Sequence, residues 1–279
     1  MNIQIIQVPY DSGHKGMRTG RGPNCFLQHG LDRILRNHGH EVSLHRVESN
    51  ASFTSEIGTA FELNRLLGEK VKLARDKGRF PVVLAGNCNS CLGTIAGLGE
   101  DQLGIVWLDA HGDFNTPETT LSGFLDGMGL AMAAGRCWKP LLRTIPGFSP
   151  ISEANIVHIG ARDLDPEEER LMKESEIELI TPTENIREVI GAAFDRLNNR
   201  VRRIYLHVDI DVLDTTGEAL PNHLAVPGGL PVEDVEHIIS MAKERFEVCA
   251  GAITSFDPEY DRDDEVLHAG IRMVEAFVA

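Results

Sequence analysis

The chain has 279 residues, of which 42% are hydrophobic and 25% are charged, a composition that is ordinary for a globular protein with a large core. Its net charge of −15 argues against nucleic acid and against an anionic membrane surface as partners. No apolar run reaches the roughly 18 residues of a membrane span, and the first residues lack the features of a signal peptide, so we predict a cytoplasmic protein without membrane contact.

Apolar segments alternate with amphipathic ones along the whole chain. Several apolar segments are continuous β-branched runs, as in strands that are buried on both faces. The predicted strands cover residues 3–8, 41–47, 80–85, 104–108, 155–159, 178–180, 201–212 and 249–256. The predicted helices lie near residues 23–37, 55–77, 90–98, 166–175, 184–198 and 231–247. This alternation predicts an α/β protein with a mostly parallel sheet and helices on both sides. Because no linker, repeat or composition shift interrupts it, we predict one domain over residues 1–279.

Polar residues follow the strand predicted at residues 104–108. In a parallel sheet, ligands bind at the carboxyl ends of the strands, so functional residues are expected at this position. In the segment GIVWLDAHGDFN, the residues Asp109, His111 and Asp113 are spaced two apart. Alternate side chains of an extended chain point to the same side. We therefore predict that these three side chains face one site.

A second pair of acids, Asp209 and Asp211, interrupts the apolar segment RIYLHVDIDVLD. A single strand aspartate is usually a structural hydrogen-bond acceptor, but buried carboxylates this close together repel each other and are strongly desolvated. A cation relieves both effects. Four carboxylates and one imidazole favour a hard or borderline divalent ion, Mn²⁺ before Zn²⁺. Four negative charges balance two such ions, with Asp109 and Asp209 as candidate bridging ligands, and an ion pair of this kind makes hydroxide available near neutral pH.

The segments DAHGD and HVDIDVLD resemble the D-A-H-x-D and S-x-D-x-D-x-x-D motifs of the ureohydrolases, the family of arginases, agmatinases and formimidoylglutamases. GRGPNCFLQHGL resembles that family's G-P-x-x-[LI]-R-x-x-G-L segment, and the resemblance runs nearly end to end. It implies a three-layer α/β/α fold around a parallel sheet of eight strands. It also implies two manganese ions and hydrolysis of a C–N bond in a guanidino or linear amidine group, with a metal-bridging hydroxide as nucleophile. Arginase relatives are often oligomers, so a homo-oligomer is expected.

Two further segments resemble arginase substrate contacts. NTPETTLSG is similar to the loop N-T-P-x-T-T-x-S-G that holds the substrate α-carboxylate, and GARDLDPEEE is similar to the segment whose Asp and Glu serve the α-amino group. This resemblance implies a small amino-acid substrate rather than a decarboxylated amine. An acid-rich helix N-terminus is the alternative explanation for the second segment. The matching residues are Asn115, Thr120, Ser122, Asp165 and Glu168.

The first departure from the family pattern is in the metal-binding motif G-G-D-H-S. The chain has GNCNS, which we align so that Asn89 takes the position of the metal-binding His and Cys88 that of the preceding Asp. An amide oxygen is a weak, neutral ligand. We therefore predict two metal sites of unequal affinity, with Asn89 on the looser side, or a single filled site. Cys88 is either a substitute ligand or a small packing residue.

Two other departures concern catalysis and substrate recognition. Arginases have a His-Gly pair, thought to shuttle protons, where this chain has Asp126-Gly127. A carboxyl with a raised pKa can do such acid–base work, although Asp126 can also pair with a cationic substrate or face solvent. The family's guanidinium-binding Glu is replaced by Ser255. Hydrogen bonds to charged groups are worth about 1.5–3 kcal/mol each, so ordinary L-arginine hydrolysis is doubtful.

The leading hypothesis is therefore an amidinohydrolase for an arginine-like amino acid with a modified guanidine. N-hydroxyarginine is one example, because the run DFNTPETT is similar to a branch of arginase-like enzymes that act on it. The rival hypothesis is a catalytically silent protein of the arginase fold that binds one metal ion or an amino acid. Asn89, Asp126 and Ser255 support the rival.

Overall fold

The computed structural model describes residues 1–50, 52–99, 102–183, 185–214 and 219–279. Its strands are β1 (Asn2–Val8), β2 (Tyr10–Asp11), β3 (His14–Lys15), β4 (Glu41–Arg46), β5 (Phe80–Ala85), β6 (Leu103–Leu108), β7 (Ile156–Ile159), β8 (Glu178–Ile180), β9 (Arg203–Asp209) and β10 (Glu247–Thr254). Its helices are α1 (Gly22–Gln28), α2 (Leu31–Asn37), α3 (Glu56–Asp76), α4 (Cys91–Leu98), α5 (Gly129–Ala133), α6 (Lys139–Leu142), α7 (Pro166–Glu174), α8 (Ile186–Asn198), α9 (Val232–Arg245) and α10 (Glu265–Val278).

Eight strands form one sheet in the order β4-β1-β5-β10-β9-β6-β7-β8. All neighbouring pairs are parallel, so the carboxyl ends of all eight strands lie along the same edge. β2 and β3 form a separate antiparallel pair. The order places β5, β10, β9 and β6 side by side at the centre, and residues that follow these four strands are therefore brought together.

Helices cover both faces of the sheet, which confirms the three-layer α/β prediction. Val106 and Leu108 pack into a core with α1, α2, α8, α9 and α10. Ile105 and Trp107, from the same strand, pack into the opposite core with α3, α4 and α5. Because alternate residues of a strand point to opposite faces, a strand buried on both faces must be apolar throughout. This requirement explains the continuous apolar runs in the sequence.

Several element boundaries differ from the prediction. The helix predicted at residues 23–37 is two helices, because Gly30 between them has a left-handed backbone with φ of 84°. The strand predicted at residues 201–212 ends at Asp209 and continues as a 3-10 turn, Ile210–Val212. α10 was not predicted, and the predicted helix start at Glu184 lies outside the described residues. Among the described helices, none is both long enough and apolar enough to span a membrane.

Candidate metal centre

The first acidic segment lies directly after β6, in the centre of the sheet edge. The prediction that it continues as an extended chain is wrong, because β6 ends at Leu108 and Asp113 has a left-handed φ of 48°. Instead, the backbone N–H of His111 donates to Asp109 Oδ1 at 2.8 Å, a local turn that aspartate side chains favour. Trp107 Nε1 donates to the other oxygen of Asp109 at 2.9 Å. The turn still brings the three predicted side chains to one place.

The second acidic segment follows β9 and meets the first one. Asp209 is the last residue of the strand, and its side chain accepts a hydrogen bond from the backbone N–H of Asp211 at 3.0 Å. Asp211 Oδ1 accepts from the backbone N–H of Ala110 at 3.3 Å. The Asp211 Oδ2 atom lies 3.3 Å from His111 Nδ1. The 3-10 turn therefore joins the two acidic segments through direct contacts.

Among the residues that the structure describes, two groups of side chains have ligand atoms within 4.8 Å of one another and could hold a metal ion. Both groups contain the buried Asp109. One consists of Cys88, Asp109 and Asp113, and the other of Asp109, His111 and Asp211. Asp209 lies beside the first group, with its Oδ2 atom 2.9 Å from Cys88 Sγ. The two candidate ligand groups are therefore adjacent and share Asp109.

The electrostatics of this cluster fit divalent cations. Burial, together with neighbouring carboxylates, raises the pKa of Asp109, Asp113 and Asp209. Burial also opposes ionisation of Asp211, but His111 outweighs it and lowers the pKa of Asp211 to about 2. The buried Oδ2 atom of Asp113 has no hydrogen-bond partner among the described residues. A buried acceptor without a partner costs free energy, and a cation satisfies such a group while neutralising its neighbours.

The structure corrects the expected position of Asn89. The loop after β5 forms a 3-10 turn, Cys88–Ser90, and because such a helix has three residues per turn, consecutive side chains point in different directions. Cys88 faces the carboxylates, whereas Asn89 lines a separate small cavity of about 20 Å³ with Tyr10 and Asn64. Burial and the surrounding acids raise the pKa of the Cys88 thiol well above its usual value. The residue of this loop that belongs to a candidate ligand group is therefore Cys88.

Asp126 is buried and lines the same cavity as the metal-centre acids. Its Oδ1 atom accepts from the backbone N–H of Asn89 at 2.7 Å, and its Oδ2 atom accepts from Asn87 Nδ2 at 2.8 Å. Burial raises the pKa of Asp126 to about 7, although these hydrogen bonds lower it. The solvent-facing alternative for Asp126 is excluded, because the side chain is only 6% exposed.

A cavity of about 440 Å³ opens from the metal centre to the surface. Of the predicted substrate contacts, Ser122, Asp165, Glu168 and Ser255 line it. The other two stand beside lining residues: Asn115 Nδ2 donates to Asp165 Oδ2 at 3.1 Å, and Thr120 Oγ1 lies 3.4 Å from Ser122 Oγ.

Asp165 and Glu168 also form a reciprocal capping box at the start of α7. Glu168 Oε1 accepts in addition from the backbone N–H of Phe114 at 2.8 Å. Asp165 and Glu168 therefore both cap the N-terminus of α7 and line the cavity. The two interpretations of this segment do not exclude each other.

Ser255 lies at the deep end of the cavity, with Oγ 3.5 Å from Cys88 Sγ and a left-handed φ of 64°. The nearby acids Asp257 and Glu259 are both bound by Arg21, at 2.8 and 2.5 Å. The position that the resemblance assigns to a guanidinium-binding carboxylate thus holds the hydroxyl of Ser255. The carboxylates of Asp257 and Glu259 nearby are already paired with the Arg21 guanidinium.

Sequence reasoning missed several cavity-lining residues, among them Asp11, Arg18 and Asn222. Asp11 and Arg18 form an ion pair of 2.6 Å, and Asn222 donates to Asp211 Oδ2 at 3.4 Å and to the Ser255 carbonyl at 3.0 Å. Asp11 follows β1 closely, so the rule that sites lie after parallel strands was a usable signal for it. Asn222 belongs to a long connection, where the sequence offers no such signal.

Comparisons with known proteins agree with this geometry. The model of the arginase family matches residues 1–279. The arginase of Bacillus caldovelox is 30% identical over 98% of this chain and 96% of its own length. The crystal structure of arginase from Bacillus subtilis superposes with a TM-score of 0.88 at 28% identity, covering 100% of this chain and 99% of that one. Arginase from Bacillus cereus superposes with a TM-score of 0.89 at 25% identity, covering 99% and 98%.

Proposed function

The chain belongs to the arginase family, and we propose that it is a metal-dependent hydrolase of a C–N bond in the guanidino or linear amidine group of an arginine-like amino acid. The observation that carries this proposal is the pair of adjacent ligand groups around the buried Asp109. As part of the same proposal, residues 1–279 form one domain of a cytoplasmic homo-oligomer.

Two divalent ions, with Mn²⁺ as the first candidate, would be held by the carboxylates that meet at this centre. Asp109 and Asp209 would be the shared ligands, because Asp109 belongs to both groups, and Asp209 contacts Cys88 on one side and the backbone N–H of Asp211 on the other. His111 and Asp211 would hold the ion on one side, and Cys88 and Asp113 the ion on the other. When bound, such ions polarise the substrate and supply a water-derived nucleophile near neutral pH.

The mouth of the cavity supplies the contacts for an amino-acid backbone. Ser122, supported by Thr120, offers a hydrogen-bond donor for the α-carboxylate, and Asn115, whose Nδ2 donates to Asp165, supports the substrate contacts from beside the cavity. Asp165 and Glu168 offer carboxylates for the α-amino group. This separation of donors and acceptors supports a zwitterionic substrate, whose side chain then extends towards the metal centre.

Asp126 is the proposed acid–base residue of the reaction. Its position in the cavity wall and its pKa of about 7 suit proton exchange near neutral pH. The backbone of Asn89 and the side chain of Asn87 hold the carboxyl in place. With Ser255 in place of a carboxylate, the deep end of the cavity favours a guanidine of lower basicity, such as that of N-hydroxyarginine, which need not be bound as a cation.

The experiment that tests this function is incubation of the metal-loaded protein with L-arginine, N-hydroxyarginine, agmatine, guanidinobutyrate and formimidoylglutamate. We expect N-hydroxyarginine to be cleaved to ornithine and a substituted urea, both of which chromatography detects. L-Arginine should be turned over more slowly, because no carboxylate meets its guanidinium at Ser255. If all five compounds stay intact with Mn²⁺, Co²⁺ and Zn²⁺ in turn, the proposal fails for them.

A second candidate is a catalytically silent relative that binds an amino acid. Ser255 favours it, since loss of a guanidinium-binding carboxylate removes an interaction that catalysis on arginine would use. Calorimetric binding of ornithine or arginine by the metal-loaded protein, without turnover of any of the five compounds, would support the silent relative instead of the hydrolase.

A further inference from the structure

The two sides of the metal centre differ in the chemistry of their ligands. The His111 side offers an imidazole and carboxylates, whereas the other side offers the Cys88 sulfur with the carboxylates of Asp109 and Asp113. We propose that the Cys88 side selects a thiophilic divalent ion, Zn²⁺, Co²⁺ or Fe²⁺, over Mn²⁺, with the Cys88 thiolate as ligand. This inference rests on the proposed metal-dependent function, but it concerns which ion is bound and not which substrate is cleaved.

The contacts of Cys88 distinguish it from a packing cysteine. Its sulfur lies 2.9 Å from Asp209 Oδ2 and 3.0 Å from Thr254 Oγ1, so its nearest partners are polar. Cys91, one helical turn further on, contacts the carbonyl oxygen of Gly129 at 3.6 Å and belongs to no ligand group of the described residues. The Asp113 Oδ2 atom, which is buried and has no hydrogen-bond partner among the described residues, is a separate observation that points to a cation position on the Cys88 side.

A buried polar layer beneath the centre holds the sulfur in position. Thr254 Oγ1, which contacts the sulfur, lies 3.3 Å from His207 Nε2. His207 Nδ1 lies 2.8 Å from the Tyr205 hydroxyl, and its ring stacks on Trp107 with centroids 3.6 Å apart. Trp107 in turn donates to Asp109 Oδ2. Cys88 and Asp109 are therefore both tied to one stacked ring pair, and partners of this kind fix the orientation of metal ligands.

The ligand chemistry gives the selectivity. Thiolate ligands favour Zn²⁺ and related ions, whereas carboxylates and water suit Mn²⁺. Binding exchanges the thiol proton for the ion, and the released proton passes to solvent. The free energy of this exchange is less favourable for Mn²⁺ than for Zn²⁺ or Co²⁺. The two sides of one centre are therefore expected to differ in metal preference as well as in affinity.

Cobalt titration of the metal-free full-length protein tests thiolate ligation directly. We expect a near-ultraviolet sulfur-to-cobalt charge-transfer band that saturates with Co²⁺. The band should disappear in Cys88→Ser and persist in the matched control Cys91→Ser, which removes a buried thiol outside the ligand groups. Absence of the band in the unaltered protein, or its persistence in Cys88→Ser, overturns the proposal. Circular dichroism of each variant verifies that the fold is retained.

The selectivity itself is measured as a ratio. Because almost any site binds Zn²⁺ more tightly than Mn²⁺, the informative quantity is the ratio of the two dissociation constants in different variants. Cys88→Asp, which replaces the thiolate by a harder anionic ligand, should reduce the preference for Zn²⁺, whereas Cys91→Ser should leave it unchanged. An unchanged ratio in Cys88→Asp contradicts the proposal. Neither the cobalt band nor the ratio of dissociation constants requires a substrate. Failure of the proposed hydrolysis and failure of this inference are therefore distinguishable.

The positioning role of Thr254 has its own test. Thr254→Val keeps the shape of the side chain but removes the hydroxyl, and loss of such a partner typically lowers metal affinity about 10- to 100-fold. The cobalt band should shift or weaken in this variant, which a purely structural role would not cause. Thr59→Val is the control, because Thr59 is also a buried threonine but lies in α3. Equal cobalt spectra and affinities in the two variants would exclude the positioning role.

Discussion

Asp209 contacts both sides of the metal centre, through Cys88 Sγ on one side and the backbone of Asp211 on the other. Replacing it by alanine removes a proposed shared ligand and should reduce bound Mn²⁺ to background after dialysis. Elemental analysis of the dialysed protein measures this. Asp195→Ala is the control, since Asp195 lies in α8 outside the cavity lining, with its side chain 70% exposed. Full manganese content in Asp209→Ala would show that the residue is not a ligand.

Asp126 offers a second single-residue prediction, which concerns its proposed acid–base role. Asp126→Asn retains an oxygen for the Asn89 backbone N–H but removes the exchangeable proton. If Asp126 is the acid–base group, kcat should fall by about 10²–10⁴-fold, while the metal content stays the same. Steady-state kinetics on the substrate identified by the panel measures the effect. A kcat equal to that of the unaltered protein would assign Asp126 a role other than proton exchange.

At the scale of elements, the start of α7 is tied to the loop after β6. Glu168 accepts hydrogen bonds from the backbone N–H groups of Phe114 and Asp165. Glu168→Ala leaves the buried Phe114 N–H without this partner, which costs about 1–3 kcal/mol of the free energy of unfolding. Urea denaturation measures the loss.

The neighbouring Glu167 is the matched control for this prediction. It occupies the same first turn of α7, but its side chain is 59% exposed and pairs with Arg170. Glu167→Ala should change the free energy of unfolding by less than about 0.5 kcal/mol, as surface substitutions usually do. Equal losses in the two variants would mean that the capping box and the Phe114 contact do not stabilise this junction.

For the whole molecule, the buried acids link folding to metal binding. Ions that bind only the folded state stabilise it, by about 2.7 kcal/mol for one site at a concentration 100 times the Kd. For a chain of 279 residues, this corresponds to a rise of several degrees in Tm. Calorimetry with Mn²⁺ and with a chelator measures the difference. The rise should be absent in Asp209→Ala, and its presence there would place the stabilising ion elsewhere.

The fold was predictable from local pattern to a large extent. All eight strands of the main sheet were anticipated, because a strand buried on both faces needs a continuous apolar run that is visible in the sequence. α10 was missed: it begins at Glu265 after Asp264, whose backbone is left-handed and whose side chain does not cap the helix. The break between α1 and α2 was also missed, since it depends on the left-handed backbone of Gly30.

The sequence by itself determined the layered fold and the meeting of Asp109, His111 and Asp211, because both follow from where apolar strands end. Only the tertiary structure decided that Cys88, and not Asn89, faces these acids. The loop between β5 and α4 is fixed by distant parts of the chain: Asp126 binds the Asn89 backbone, and a Cβ on Gly86 would lie 2.2 Å from the Tyr10 carbonyl oxygen. In a turn of three residues, such contacts set the backbone angles and thereby the direction of each side chain, and motif spacing carries no information about them.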